Sequence, residues 1–206
     1  MSEKLLGNLK KGLCIVISAP AGTGKTTLAR MLMSEFSCIV ESISCTTRSM
    51  RPGEIADKDY HFLSIAQFEK KKEEGTFLEW AQVFGHFYGT LKEDVESAKA
   101  KGKHVLLVID TQGALELKKR KYPALFIFIR PPSLGELRAR LFNRKADLQE
   151  SIEERLKRAE HELAQAGEYD FIVTNDNLHH AYDILRSILI AEEHKTERTH
   201  DRNINK

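Results

Sequence analysis

The run Ala19-Pro20-Ala21-Gly22-Thr23-Gly24-Lys25-Thr26 places two glycines, a lysine and a threonine where they can grip phosphate. Gly22 and Gly24 let the backbone turn so that successive N–H groups point at phosphate oxygens. A helical pattern follows directly, from Thr27 to Phe36, and its positive end adds attraction for an anion. Lys25 has the reach for β- and γ-phosphates, and the Thr26 hydroxyl suits a Mg²⁺ ion. The strict form of this loop opens on glycine, where this chain has Ala19. A second cationic pair, Arg48 and Arg51, stands in Thr46-Thr47-Arg48-Ser49-Met50-Arg51-Pro52-Gly53-Glu54. Guanidinium forks match phosphate bidentately, although a solvated loop with incidental arginines also accounts for the pair. Asp59-Tyr60 and Phe84-Gly85-His86-Phe87-Tyr88-Gly89-Thr90 add tyrosine hydroxyls suited to a phosphate monoester.

The elements that must hold these groups follow from apolar patterning. Strand-like runs recur at 13–17, 105–109, 125–129 and 171–173, nearly continuous rather than alternating, as expected of parallel strands covered on both faces. Helical spacing separates them. Leu28, Met31, Leu32 and Phe36 share one face, Ser133 and Glu136 form a capping-box pair, and Ile152, Leu156, Ala159 and Leu163 recur at helical intervals. The expected fold is α/β, a P-loop type with a parallel sheet flanked by helices. Residues 44–90 read instead as a small β-rich insertion, with strands near 60–63 and 77–83 and a short helix capped by Ser64 and Gln67. Arg138, Arg140, Arg144, Arg155 and Arg158, with Arg130 just upstream, make 133–167 an arginine-rich helical lid or, since acidic residues dilute the charge, a solvated helix face.

A chain of 206 residues is expected to form one domain. Its formal net charge of +2 gives no global field for nucleic acid or an anionic membrane. No apolar run approaches a membrane span, and the first residues lack a signal-peptide core. Cys14, Cys38 and Cys45 have no metal-type spacing, and Cys14 reads as a small buried hydrophobe. These features point to a cytoplasmic, reduced protein. His61, His86, His104 and His161 show no metal spacing and receive no role.

From about Leu13 to Ala191 the chain resembles the guanylate kinases. The Thr-Thr-Arg-x-x-Arg-x-Gly-Glu segment, the Phe-Leu-Glu-Trp-Ala run, the Gly-x-x-Tyr-Gly-Thr turn and Ile-Asp-x-Gln-Gly occur in family order. The resemblance implies ATP-dependent phosphorylation of GMP and dGMP, with Mg²⁺ accompanying ATP. It implies that Ala19 to Thr27, with Lys25 central, hold the ATP phosphates, and that Asn175 lies near the adenine. Arg48, Arg51, Tyr60 and Tyr88, with Glu54 of the same segment, go to the GMP phosphate side. Ser44, Glu79, Thr90 and Asp110 go to the guanine, whose N1–H and 2-amino donors suit carboxylates while O6 needs a hydroxyl. Arg144 and Arg155 become lid groups that join Lys25 and Arg48 in catalysis. The implied division is a core at about 11–43, 91–132 and 168–191, an acceptor subdomain at 44–90, a lid at 133–167 and a disordered tail from about 192 to 206.

Each residue also has a plainer reading. Glu79 can be a strand's solvent-facing acid, Asp110 a turn former, Tyr60 and Tyr88 core aromatics. Thr90 with Glu93 makes a cap for a helix over 91–101, and Phe77 and Trp80 read as core. Four positions depart from the family pattern: Ala19, Ala21, Val108 in place of a frequent acid, and Lys145 in place of a glycine. Competing functions are a kinase for AMP or a pyrimidine nucleotide, which Glu79 and Asp110 oppose, and a phosphopeptide-binding module, which the intact Gly24-Lys25-Thr26 opposes. The partners expected are two small-molecule nucleotides, without nucleic acid or membrane.

Overall fold

The computed structural model describes residues 4–143 and 152–201. Arg144 and Lys145 lie outside the described residues. The chain runs β1 (Cys14–Ser18), α1 (Lys25–Glu35), β2 (Ile39–Glu41), β3 (Cys45–Thr46), β4 (His61–Phe62), α2 (Ile65–Glu73), β5 (Phe77–Val83) and β6 (His86–Leu91). It continues through α3 (Lys92–Ala100), β7 (His104–Val108), α4 (Thr111–Lys119), β8 (Leu125–Arg130), α5 (Leu134–Asn143), α6 (Ile152–Ala164), β9 (Phe171–Thr174) and α7 (Leu178–Glu193).

The main sheet is parallel throughout, in the order β2-β7-β1-β8-β9. Its burial explains the unbroken apolar runs. Along β1 the side chains alternate between two cores: Ile15 and Ile17 pack with Leu28, Leu32, Leu185 and Leu189, whereas Cys14 and Val16 pack with Leu107, Leu117 and Phe128 on the opposite face. Burial drives the Cys14 thiol up to about 12, so it serves as packing rather than as a nucleophile. β2 escapes the sequence reading because it is three residues long and carries no period of its own; it is a strand because Ile39, Val40 and Glu41 pair with His104, Val105 and Leu106.

The β-rich insertion is a separate four-stranded sheet, β4-β3-β6-β5, closed by α2. Phe68 of α2 stacks on Phe77 at 4.4 Å between ring centroids and on Phe87 at 5.2 Å, forming a small core with Cys45. The capping box at Ser64 forms as expected, Gln67 N–H donating to Ser64 Oγ at 3.2 Å and Ser64 N–H to Gln67 Oε1 at 2.8 Å. Phe77 is core, but Trp80 is not. Period two puts it on the outer face, 39% exposed, with Lys72 Nζ 4.2 Å from its ring centroid.

Two other expectations change. Leu91, not Thr90, precedes α3, and no side chain caps that helix, because the Thr90 hydroxyl is spent across the sheet on Glu79. The residues expected to begin the tail, Glu192 and Glu193, complete α7 and are buried. Glu193 accepts hydrogen bonds from the Gly7 and Asn8 N–H groups and pairs with His104 Nε2 at 2.6 Å, while His104 Nδ1 accepts from Leu13 N–H. The carboxylate, held well down at about 2, pins the first described residues to the last helix. A histidine with no metal spacing gave no hint of this.

Candidate active site

The phosphate loop lies at the carboxyl end of β1, beside the ends of β7 and β8 (Ile17 pairs with both Val108 and Ile127), where parallel sheets present ligand groups. Gly22 and Gly24 adopt φ of 85° and 91°, the left-handed turn that a Cβ disfavours. Ala19 is not among the residues at positive φ, so the alanine in place of glycine costs no backbone strain there. Gly24 is the N-cap of α1 and supplies no side-chain cap, which leaves the first turn's N–H groups for an anion. The loop is braced from below: Thr23 Oγ1 donates to Pro20 O at 2.8 Å, and Asn175 Nδ2 donates to Thr23 O at 2.7 Å. A Cβ on Gly24 would stand 2.5 Å from that same Nδ2.

Asn175 therefore grips the loop through its amide nitrogen. Its backbone is held in turn, because Arg140 Nη1 donates to the Asn175 main-chain carbonyl at 3.1 Å, which gives Arg140 a partner that helix-surface charge did not suggest. Asn175→Ala strands the buried Thr23 carbonyl, at a cost of about 1–3 kcal/mol. The expected outcome is a melting temperature lowered by the equivalent of that cost, measured by thermal melts against the parent.

Lys25 points across the loop and donates from Nζ to Ile109 O at 3.0 Å. Burial lowers its pKa below the ordinary lysine value, against the opposing charges of Asp110, Glu162 and Glu41. An anion bound over the loop would replace the solvation this ammonium lacks. Thr26 is exposed at the helix start.

Asp110 has two tasks. Its Oδ1 caps α4, accepting from Gly113 N–H at 2.8 Å, so the turn-forming reading holds for one oxygen. Its Oδ2 is buried and accepts no hydrogen bond; Arg158 Nη2 stands 4.0 Å away. Across β5 and β6, Glu79 pairs in register with Thr90, and Thr90 Oγ1 donates to Glu79 Oε1 at 2.6 Å. Glu79 is 4% exposed, the opposite of a solvent-facing acid. Burial, aided by the Asp110 charge and opposed by Thr90, pushes its carboxyl up to about 7. Gly113 makes this approach possible, since a Cβ there would lie 2.2 Å from Glu79 Oε2. Ser44 is half-buried and its carbonyl accepts from His61 N–H as β3 begins.

Arg48 is buried at 9% exposure, and its fork is aligned by Glu54: Nη1 and Nη2 donate to the two carboxylate oxygens at 3.0 and 2.7 Å. Glu54 also accepts from Arg51 N–H at 2.7 Å. Both Glu54 oxygens are thus engaged, so the residue orients the arginine loop instead of facing an anion. Tyr60 lies against Tyr88 edge-on at 6.1 Å, and the Arg48 guanidinium sits 5.3 Å from the Tyr60 ring centroid. Both tyrosines are half-buried, lining the cationic patch rather than filling a core.

The loop borders a cavity of about 210 Å³ whose walls include Lys25, Thr26, Asp110, Arg155 and Arg158, together with Phe84 at the β5–β6 turn. The four-stranded sheet and the phosphate loop thereby open on one cleft. Arg155 lines it. Arg158 and Glu162 line it too; sequence reasoning counted Arg158 only among the lid arginines and gave Glu162 no role, and their spacing on α6 at i and i+4, beside Arg155, was the available signal. Among the described residues no three His, Cys, Asp or Glu side chains converge as a metal site. The oxygen donors at the loop, the Thr26 hydroxyl and the unpartnered Asp110 Oδ2, nonetheless fit a hard divalent ion that brings phosphate ligands with it.

The family model for guanylate kinase matches residues 11–192. A guanylate kinase of Protochlamydia amoebophila is 52% identical over 189 residues, covering 92% of this chain and 95% of that one. One from Chlamydia trachomatis serovar D is 49% identical, covering 87% and 88%. The crystal structure of guanylate kinase from Anaplasma phagocytophilum superposes with a TM-score of 0.76 at 35% identity, covering 94% of this chain and 92% of that one.

Proposed function

The chain belongs to the guanylate kinase family and phosphorylates GMP to GDP at the expense of ATP, and from that premise we propose how its residues divide the work. An oxygen of the GMP phosphate bonds to the γ-phosphorus of ATP as the bond from that phosphorus to the β,γ-bridging oxygen breaks. The electron pair leaves with ADP, in line with the attack and without a covalent enzyme intermediate. The acceptor oxygen is already anionic, so no strong general base is required. Catalysis is positioning and neutralisation of spread negative charge.

Lys25 and the N–H groups of the loop from Ala19 to Thr27 hold the ATP phosphates, and Asn175 keeps that loop in shape. Arg48, aligned by Glu54, joins Arg51, Tyr60 and Tyr88 on the GMP phosphate. Glu79 accepts from guanine N1–H and the 2-amino group, Thr90 fixes the Glu79 rotamer, and Ser44 and Asp110 complete the base site. dGMP is accepted as well, because none of these contacts needs the 2′-hydroxyl. Arg144 and Arg155 close over ATP, shutting out water that would hydrolyse it. A divalent ion, proposed as Mg²⁺ on the Thr26 hydroxyl, neutralises phosphate charge when bound. Among the described residues no helix is long and apolar enough to cross a membrane, and we place the enzyme with its soluble substrates in the cytoplasm.

The observation that carries the acceptor assignment is the buried Glu79–Thr90 pair beside Asp110. An acceptor base without guanine's donor pair would leave that carboxyl unpaired. The test is ADP formation from ATP with GMP, AMP, dTMP and UMP offered separately; preference for anything but GMP or dGMP overturns it. A pH dependence follows. Guanine needs the ionised carboxylate, so protonation competes with GMP below the Glu79 pKa of about 7. The GMP KM should rise about tenfold from pH 8 to pH 6, with a midpoint near 7 rather than the 6 of the phosphate itself. The ATP KM should not share that midpoint, and a GMP profile centred on 6 would remove Glu79 from the base site.

A further inference from the structure

We propose that Arg158 of α6 is a further catalytic arginine, one that contacts the phosphoryl group in transfer; the inference rests on the phosphotransferase reading above. Its guanidinium sits in the wall of the phosphate-loop cavity together with Lys25 and Thr26. Three fixed groups define its plane and its direction. Nε donates to Glu162 Oε1 at 3.0 Å, one turn along the same helix. The ring of Phe84, at the tip of the acceptor-sheet hairpin, covers one face with its centroid 4.3 Å from Cζ. Nη2 is turned toward Asp110 Oδ2 but stops at 4.0 Å, beyond hydrogen-bond length.

The consequence is a fork anchored at its base and open at its tip. Nη2 faces a buried carboxylate oxygen of the cleft, Asp110 Oδ2, that accepts no hydrogen bond, without closing on it. A planar fork of this kind takes two oxygens of a phosphoryl group at once, which a lysine cannot do. Arg158 is also close enough to Lys25 to oppose its charge, so both cations converge on the same space. An anion between them relieves that repulsion, and the more so as negative charge spreads over the equatorial oxygens in the transition state. The stack on Phe84 ties this cation to the acceptor sheet, so the fork is aimed from the acceptor side of the cleft while Lys25 acts from the donor side.

The alternative is a strut that merely fastens α6 to the hairpin through Phe84. Initial-rate kinetics on Arg158→Ala and Arg158→Lys separate the two. Arg158→Ala should lose about 10²-fold in kcat with the GMP and ATP KM values within about threefold of the parent. Arg158→Lys, a point charge without the fork, should recover only part of that loss. Millimolar methylguanidinium should raise the Arg158→Ala rate at least about tenfold, because a catalytic cation can be supplied from solution and a strut cannot. A kcat of Arg158→Ala within threefold of the parent, or a loss that methylguanidinium leaves untouched, overturns the proposal. An unsubstituted chain that makes no GMP-dependent ADP overturns the underlying reading and this one with it. An active parent beside a fully active Arg158→Ala overturns this one alone.

Discussion

Lys25→Met is expected to abolish most of the turnover, lowering kcat about 10³-fold, or about 4 kcal/mol of transition-state stabilisation. Lys25 is the cation within the phosphate loop itself, and its ammonium is held by one carbonyl, Ile109 O, in a setting that burial makes inhospitable to charge. Methionine keeps the length and the apolar stem, so the loop and α1 should stand. The fold cost should be small, because the substitution removes a charge whose desolvation is unfavourable. Steady-state rates with melting curves on the same preparation check this. A kcat within tenfold of the parent, in a protein that melts normally, would remove Lys25 from the transfer step.

Glu79→Gln is expected to separate function from stability in opposite directions. The amide keeps an oxygen for the Thr90 hydroxyl but places an NH₂ where guanine also offers donors. kcat/KM for GMP should fall about 10³-fold, with the ATP KM within about twofold of the parent. Stability moves the other way above neutrality. The folded pKa of Glu79, about 7, lies above its ordinary 4.5. A raised carboxyl stabilises the fold fully below about 4.5, and that contribution is lost as pH rises through 7. At pH 8 the parent carries an ionised, buried carboxylate that the variant lacks. Glu79→Gln should therefore melt higher than the parent at pH 8, by the equivalent of about 1–3 kcal/mol, and lose that advantage below pH 5. Equal loss of GMP and ATP use would mean that Glu79 does not read the base, and a variant less stable at pH 8 would refute the cost of ionisation.

The opposed effects reflect where specificity is kept. Glu79 is buried by its own sheet, approached closely only because Gly113 has no side chain, and fixed by Thr90. A carboxylate so placed is costly without its ligand and selective with it. Arg48 avoids a similar cost by pairing with both Glu54 oxygens, so under the proposed assignment a GMP phosphate would meet a guanidinium that is already aligned.

The parallel core was legible because both faces of the sheet are covered, which turns strands into unbroken apolar runs at 13–17, 105–109 and 125–129. The phosphate loop was legible because it is contiguous: its glycines, lysine and threonine act through local backbone geometry. Short strands were not. Ile39–Glu41 and Cys45–Thr46 are strands only through their partners, and two or three residues cannot carry a period. The capping box at Ser64 formed because nothing else competes for that hydroxyl, whereas Thr90 was drawn from its helix by a carboxyl eleven residues away.

The amino-acid sequence by itself determined the chemistry available: a phosphate loop, an arginine pair, and motifs in the order found in the guanylate kinases. It did so because motifs are local, and their residue types limit what they can bind. Tertiary structure alone decided which of those groups face the cleft and which hold the others in place. Asn175 clamps Thr23, Glu54 aligns Arg48, Asp110 splits its oxygens between a helix cap and the cavity, and Arg158 reaches Phe84 from another element. Asn175 on Thr23 and Arg158 on Phe84 join elements brought together by packing, and partners so far apart leave no spacing in the chain to read; Glu54 with Arg48 and Asp110 with Gly113 are near in sequence, but the folded loop and helix start decide that their side chains turn to each other.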